Sequence, residues 1–159
     1  MRPVLYVVLS FVSLSACTST NTNETSTESI ENENAAQQML EGKTWDEVIG
    51  LHDEVMPEMT TISRIKRRVS AYLEEQTSTQ PSSKTELLDL LTQLQQAEDG
   101  MWDWMYNFQQ LGPLQDSLEH QGILDYLEYE RKRIVKVKAD MEQSIVAGRA
   151  LMEKYNIQE

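Results

Sequence analysis

Apolar residues recur along most of the chain at intervals of three and four, the spacing that lines one face of an α-helix. The first run reads Trp45, Val48, Val55, Met59, Ile62, Val69 and Leu73, with His52 on the same seam. It opens at Thr44-Trp45-Asp46-Glu47, a capping-box spacing, and ends near TSTQPSS at residues 77–83. Pro57 falls inside it. Its ring removes one backbone N–H and meets the carbonyl of Asp53, so a kink is expected there. A helix starting at Pro57 is the rival, but Met56 would be a poor cap for it.

The second run is Leu87, Leu90, Leu91, Leu94, Met101, Met105 and Phe108. It opens at Ser83-Lys84-Thr85-Glu86, again a capping box, and Gly112-Pro113 reads as its stop. The third starts between Asp116 and Gly122 and keeps the period through Leu124, Leu127, Ile134, Val137, Met141, Ile145, Gly148, Leu151 and Tyr155. There is no Asn-Gly or Asp-Gly hairpin signal and no sustained alternation. The pattern predicts helices over about 44–77, 84–111 and 117–155, roughly 50, 42 and 57 Å long at 1.5 Å per residue. Short connections make neighbours antiparallel, so residues 44–156 are expected to form an all-α, up-down-up three-helix bundle. A long coiled coil pairing with another chain is the alternative.

The front of the chain follows other rules. Arg2 begins a short positive region, Val4 to Leu14 is apolar, and Ser15 and Ala16 are small. The apolar run falls short of the roughly 20 residues that span a bilayer, and reads as a secretory signal over residues 1–16. Leu14-Ser15-Ala16-Cys17 resembles the lipobox of bacterial lipoproteins. That resemblance implies cleavage between Ala16 and Cys17 and a lipid thioether on Cys17. Two or more acyl chains hold a protein stably on a membrane where one does not. Cys17 is the sole cysteine, so disulfides and thiolate chemistry are excluded. Residues 17–43, beginning with the cysteine and continuing TSTNTNETSTESIENEN, are poor in large apolar side chains and read as a flexible polar tether.

Charge narrows the partners. The chain has 14 basic and 26 acidic residues, a net charge of −12. Nucleic-acid binders need a basic surface, so nucleic acid is not an expected partner. The expected location is the cell envelope, lipid-anchored to the cell membrane or outer membrane and facing the periplasm or cell surface. Thr18 follows the cysteine in place of the aspartate that resembles an inner-membrane retention signal, which favours the outer membrane. The expected partner is another envelope protein.

The segments HDEVMPEM, RIKRR, MWDWM, YLEYE and KVKADMEQSI are together similar to a group of small bacterial lipoproteins labelled "viral A-type inclusion protein". The similarity covers roughly residues 45–152. In that group the second motif often reads Met-Met-x-Trp-Met; of it, MWDWM keeps Met101, Trp104 and Met105. The resemblance implies a lipoprotein with a helical body and no known activity.

Two clusters offer chemistry. With turns near residues 80 and 115, His52 comes level with about residue 108 and about residue 122, and Met56 and Met59 level with 101–104. His52, Met56, Met59, Met101, Trp102, Trp104 and Met105 then converge near one end, faced by Tyr126, Tyr129 and Glu130, with Met141 outside. Thioethers and an imidazole select Cu(I) over hard cations, so a soft-metal site is one reading. The plainer one is core packing, because methionine fills gaps against aromatic rings. Within MWDWMYNF, residues 101–108, Met101, Trp104, Met105 and Phe108 form an inward stripe, flanked by Trp102 and Tyr106, with Asp103 and Asn107 on the wet side.

The second cluster is basic: Arg64, Arg67 and Arg68, with Arg131, Lys132 and Lys136, in overlapping bands. It reads either as a belt for an anionic partner such as lipopolysaccharide phosphates or as a solvated face paired with carboxylates. Enzyme motifs are missing: no HExxH, no Gly-x-Ser-x-Gly, no phosphate-binding glycine loop and no Glu-x-x-His pair. The expectation is a non-enzymatic binding or scaffolding protein with no cofactor beyond the lipid, and Cu(I) handling as the alternative.

Overall fold

A computed structural model of the chain describes residues 22–76 and 81–158, with side chains from residue 29 onward. The signal segment, Ala16 and Cys17 lie outside the described residues, as do residues 77–80. Among the described residues the chain is helical throughout: α1 (Thr22–Val55), α2 (Glu58–Glu75), α3 (Pro81–Asn107), α4 (Leu111–Ser117) and α5 (His120–Lys154). No described helix is long and apolar enough to cross a membrane.

The first helix starts earlier than the pattern at Thr44 suggests. Residues 22–43 belong to α1, and residues 22–34 form a separate unit, so the account below concerns the body from Ala35 onward. The hydroxyl of Thr44 does not cap a helix end but donates to the Leu40 carbonyl at 2.8 Å. Thr85 does the same toward Pro81 at 3.1 Å, so the Ser83–Glu86 box is also helix interior. A hydroxyl that bonds one turn back leaves the same sequence signature as an N-cap. Residues 35–40 are rich in Ala, Gln, Met and Leu, all good helix formers. They carry no core, and Met39 and Leu40 are exposed.

The break at Pro57 is present. The Met56 N–H still closes a helical turn onto the His52 carbonyl at 2.8 Å, after which Met59 and Thr60 bond only three residues back, to Met56 and Pro57. Pro57 has no N–H to offer the Asp53 carbonyl, and α2 begins at Glu58. The kinked helix and the new start at Pro57 are thus the same feature.

Gly112-Pro113 is not a stop. α3 ends at Asn107, and the pair occupies the first turn of α4, where proline's missing N–H costs nothing. Gly112 keeps a negative φ. What holds α4 is Leu114, buried with Ile123 and Leu127 in a small second core against Trp45, Phe108 and Tyr126.

The main core joins α1 and α2 to α3 and α5 through Val48, Val55, Ile62, Ile65, Val69, Leu87, Leu90, Leu94, Ile134, Met141 and Met152. Glu54 pairs with Lys138 and Ile65 meets Gly148, so α5 runs in the same direction as α1 and α2. Asp103 pairs with Arg133 and Glu86 with Lys154, so α3 runs against α5. The backbones come closest for α3 with α5 and α2 with α3 and α5, whereas α1 stands further off. Where α1 meets α3 the body is wide and filled by rings, whereas Gly148 lets α5 lie close against Ile65 of α2.

Candidate functional site

The wide end is built around a ladder of rings. His52 of α1 stacks on Trp104 of α3, with centroids 5.5 Å apart and planes 22° apart. Trp104 stacks in turn on Phe108 at 4.6 Å, and Phe108 meets Trp45 at 6.0 Å and Tyr126 at 6.2 Å. The ladder's polar edges find partners. The Trp104 indole N–H donates to the Glu130 carbonyl at 3.4 Å and the Trp45 indole to the Gln109 carbonyl at 3.5 Å. The Gln109 N–H donates to the Tyr126 hydroxyl at 2.8 Å. Burial pushes the Tyr126 pKa up, against the pull of that bond.

Thioethers share this core. Met101 and Met59 are buried, and Met56 and Met105 are half-buried against the same cluster. Trp102 does not join them: it is 53% exposed, and Tyr106 is 90% exposed. Residues two apart on a helix point to nearly opposite sides, so Trp102 cannot face inward beside Trp104. Tyr126 and Glu130 face the ladder from α5 as expected. Tyr129 is exposed, with the Arg133 guanidinium 5.8 Å over its ring.

His52 itself has one satisfied nitrogen. Nδ1 lies 2.9 Å from the carboxylate of Asp53, which can only accept, so Nδ1 carries the proton. Nε2 is buried and has no hydrogen-bond partner. Glu58 Oε2 and Arg64 Nε are likewise buried and unpartnered. His52 and Glu58 flank the break.

Below the ladder lies a charged triad. Arg133 donates to both carboxylate oxygens of buried Glu130 at 3.1 Å and to Asp103 at 2.8 Å. Burial opposes the charge on Arg133, but Glu130, Tyr129 and Asp103 outweigh it and raise its pKa.

The basic residues do not form one belt. Ile65 packs against Gly148, which places Arg64, Arg67 and Arg68 near that level of α5, about 18 Å beyond Lys136 at 1.5 Å per residue. Sequence register misplaces them because α4 lengthens the α3–α5 connection. Arg131 and Lys132 share Glu128 at 2.8 and 3.3 Å, and Lys136 pairs with Asp140 at 2.5 Å. The Glu128 carboxyl is pulled down to about 2, mainly by its Arg131 hydrogen bond. Arg64 is half-buried; Arg67 and Arg68 are exposed, and Arg68 has a partner.

One cluster escaped the sequence. Glu41 is 3% exposed and accepts from His120 Nδ1 at 2.7 Å and from Gln115 Nε2 at 2.8 Å. It ties α1 to α4 and α5. His120 reads from sequence as an exposed residue near a helix start, and no spacing signal links it to a glutamate 79 positions away.

Among the described residues, no three His, Cys, Asp or Glu side chains converge on a metal-sized site. Comparison with protein-family models, with curated proteins and with solved structures gives no match.

Proposed function

We propose that the chain is an exported, lipid-anchored protein of the cell envelope whose helical body works by binding a protein partner and performs no catalysis. The observation that carries this reading is Leu14-Ser15-Ala16-Cys17 at the end of a short apolar run behind Arg2. The small residues suit a signal peptidase, and the lone cysteine suits acyl transfer. The polar stretch that follows supports it, since a body worn on a lipid needs a spacer. The motif resemblance to small bacterial lipoproteins supports it as well.

The test is fractionation of cells expressing the full chain and its Cys17→Ala form, with a clickable fatty acid in the medium. The parent chain enters the membrane fraction and takes up label. Cys17→Ala loses the label and is released from the membrane. A variant that is cut after Ala16 yet stays membrane-bound overturns the reading.

A further inference from the structure

The orphan nitrogen of His52 is a polar atom in a place where such atoms are costly. A buried acceptor without a donor forfeits the hydrogen bonds it would make to water. Three observations meet there. First, Asp53 holds the proton on Nδ1, so the lone pair of the neutral ring is on Nε2. A carboxylate behind an imidazole is the arrangement that orients metal-binding histidines. Second, Nε2 is buried and unpartnered, and the His52 side chain is only 18% exposed. Third, the core holding the Trp104 ring on which His52 stacks supplies thioethers. Met56 lies one unbroken helical turn from His52, and Met101 one turn from Trp104.

We infer that His52 Nε2 binds one soft monovalent cation, Cu(I), together with the thioethers of Met56 and Met101. The donors decide the metal. Thioethers discriminate against hard cations, and a neutral imidazole completes a Cu(I) set. The Trp104 ring, stacked on His52, shields the site from water. This inference is independent of the anchor, since it concerns the body alone.

The experiment uses the full chain carrying Cys17→Ser, so that no thiol competes, titrated anaerobically with Cu(I) held by a coloured chelator. The expected result is withdrawal of one Cu(I) per chain. Ag(I), a redox-inert stand-in, should move the ¹³C-methyl signals of Met56 and Met101, and leave Met39 and Met152 in place. Met101→Leu or Met56→Leu should lower affinity at least tenfold with unchanged circular dichroism. Asp53→Ala, which touches no metal, should lower it by about tenfold. No withdrawal from a micromolar chelator overturns the proposal, as does binding that survives His52→Phe, or Ag(I) shifts spread over all the methionines.

Discussion

Gly148 of α5 lies so close to Ile65 of α2 that a Cβ on it would fall 2.8 Å from Ile65 Cγ2 and 3.1 Å from Cδ1. Ile65 is 1% exposed and branched at Cβ, so it has little room to turn away. Overpacking of this kind costs about 1–3 kcal/mol, set against about 1 kcal/mol of helix propensity gained. Gly148→Ala should therefore lower the urea midpoint, and Gly148→Leu should lower it further. In an Ile65→Ala background the Gly148→Ala penalty should vanish, because both offending carbons are gone. A penalty that persists would place the strain elsewhere.

Glu41→Ala should destabilise the body by about 2 kcal/mol, the scale of hydrogen bonds to a buried charge. The effect comes from stranding His120 and Gln115 as much as from losing the carboxylate. Glu41→Gln keeps one acceptor and should cost less. Chemical denaturation followed by tryptophan emission reads both.

The two indoles two residues apart should behave oppositely. Trp104→Ala should cost about 3–5 kcal/mol, the range for buried aromatic truncation. Trp102→Phe should leave stability within about 0.5 kcal/mol while removing much of the emission that acrylamide quenches. Equal effects from both would contradict the placement of α3.

Glu128 should titrate near 2 by carbon-detected NMR, because Arg131 holds its charged form. The sign follows from the lowered pKa. The stabilisation is complete above the ordinary carboxylate value of 4.5 and is lost as pH falls through about 2. Arg131→Ala should bring the midpoint back toward the ordinary value, leaving only the weaker Lys132 contact.

Much of the architecture was legible because apolar periodicity survives any error in helix ends. The inward stripe of Met101, Trp104, Met105 and Phe108, and the break at Pro57, both rest on local covalent geometry. The misreadings share a cause: short polar and Gly-Pro signals are ambiguous without tertiary context. Thr44 and Thr85 looked like caps because a backbone carbonyl one turn back satisfies a hydroxyl equally well. Gly112-Pro113 looked like a stop because nothing in it reveals that Leu114 has a pocket to fill. That hidden helix displaced the two basic groups from each other. His52 stood on the seam, but only its contact with Asp53 shows which nitrogen is spare.

The standing-off of α1 has a mechanical meaning. Load entering the body from its N-terminal side reaches Glu41 and the ring ladder before it reaches the close-packed trio of α2, α3 and α5. The holds of α1, which also include Val48, Val55 and the Glu54–Lys138 pair, end at the proline break. The strand of force should therefore peel α1 away as far as Pro57 and stop, with the trio still folded. In an optical trap with one handle at Ala35 and the other at the C-terminus, extension should lengthen in two steps, the smaller first. A single rip would mean that α1 and the trio fail together. Such a body would yield to a pull on its N-terminal side without coming apart.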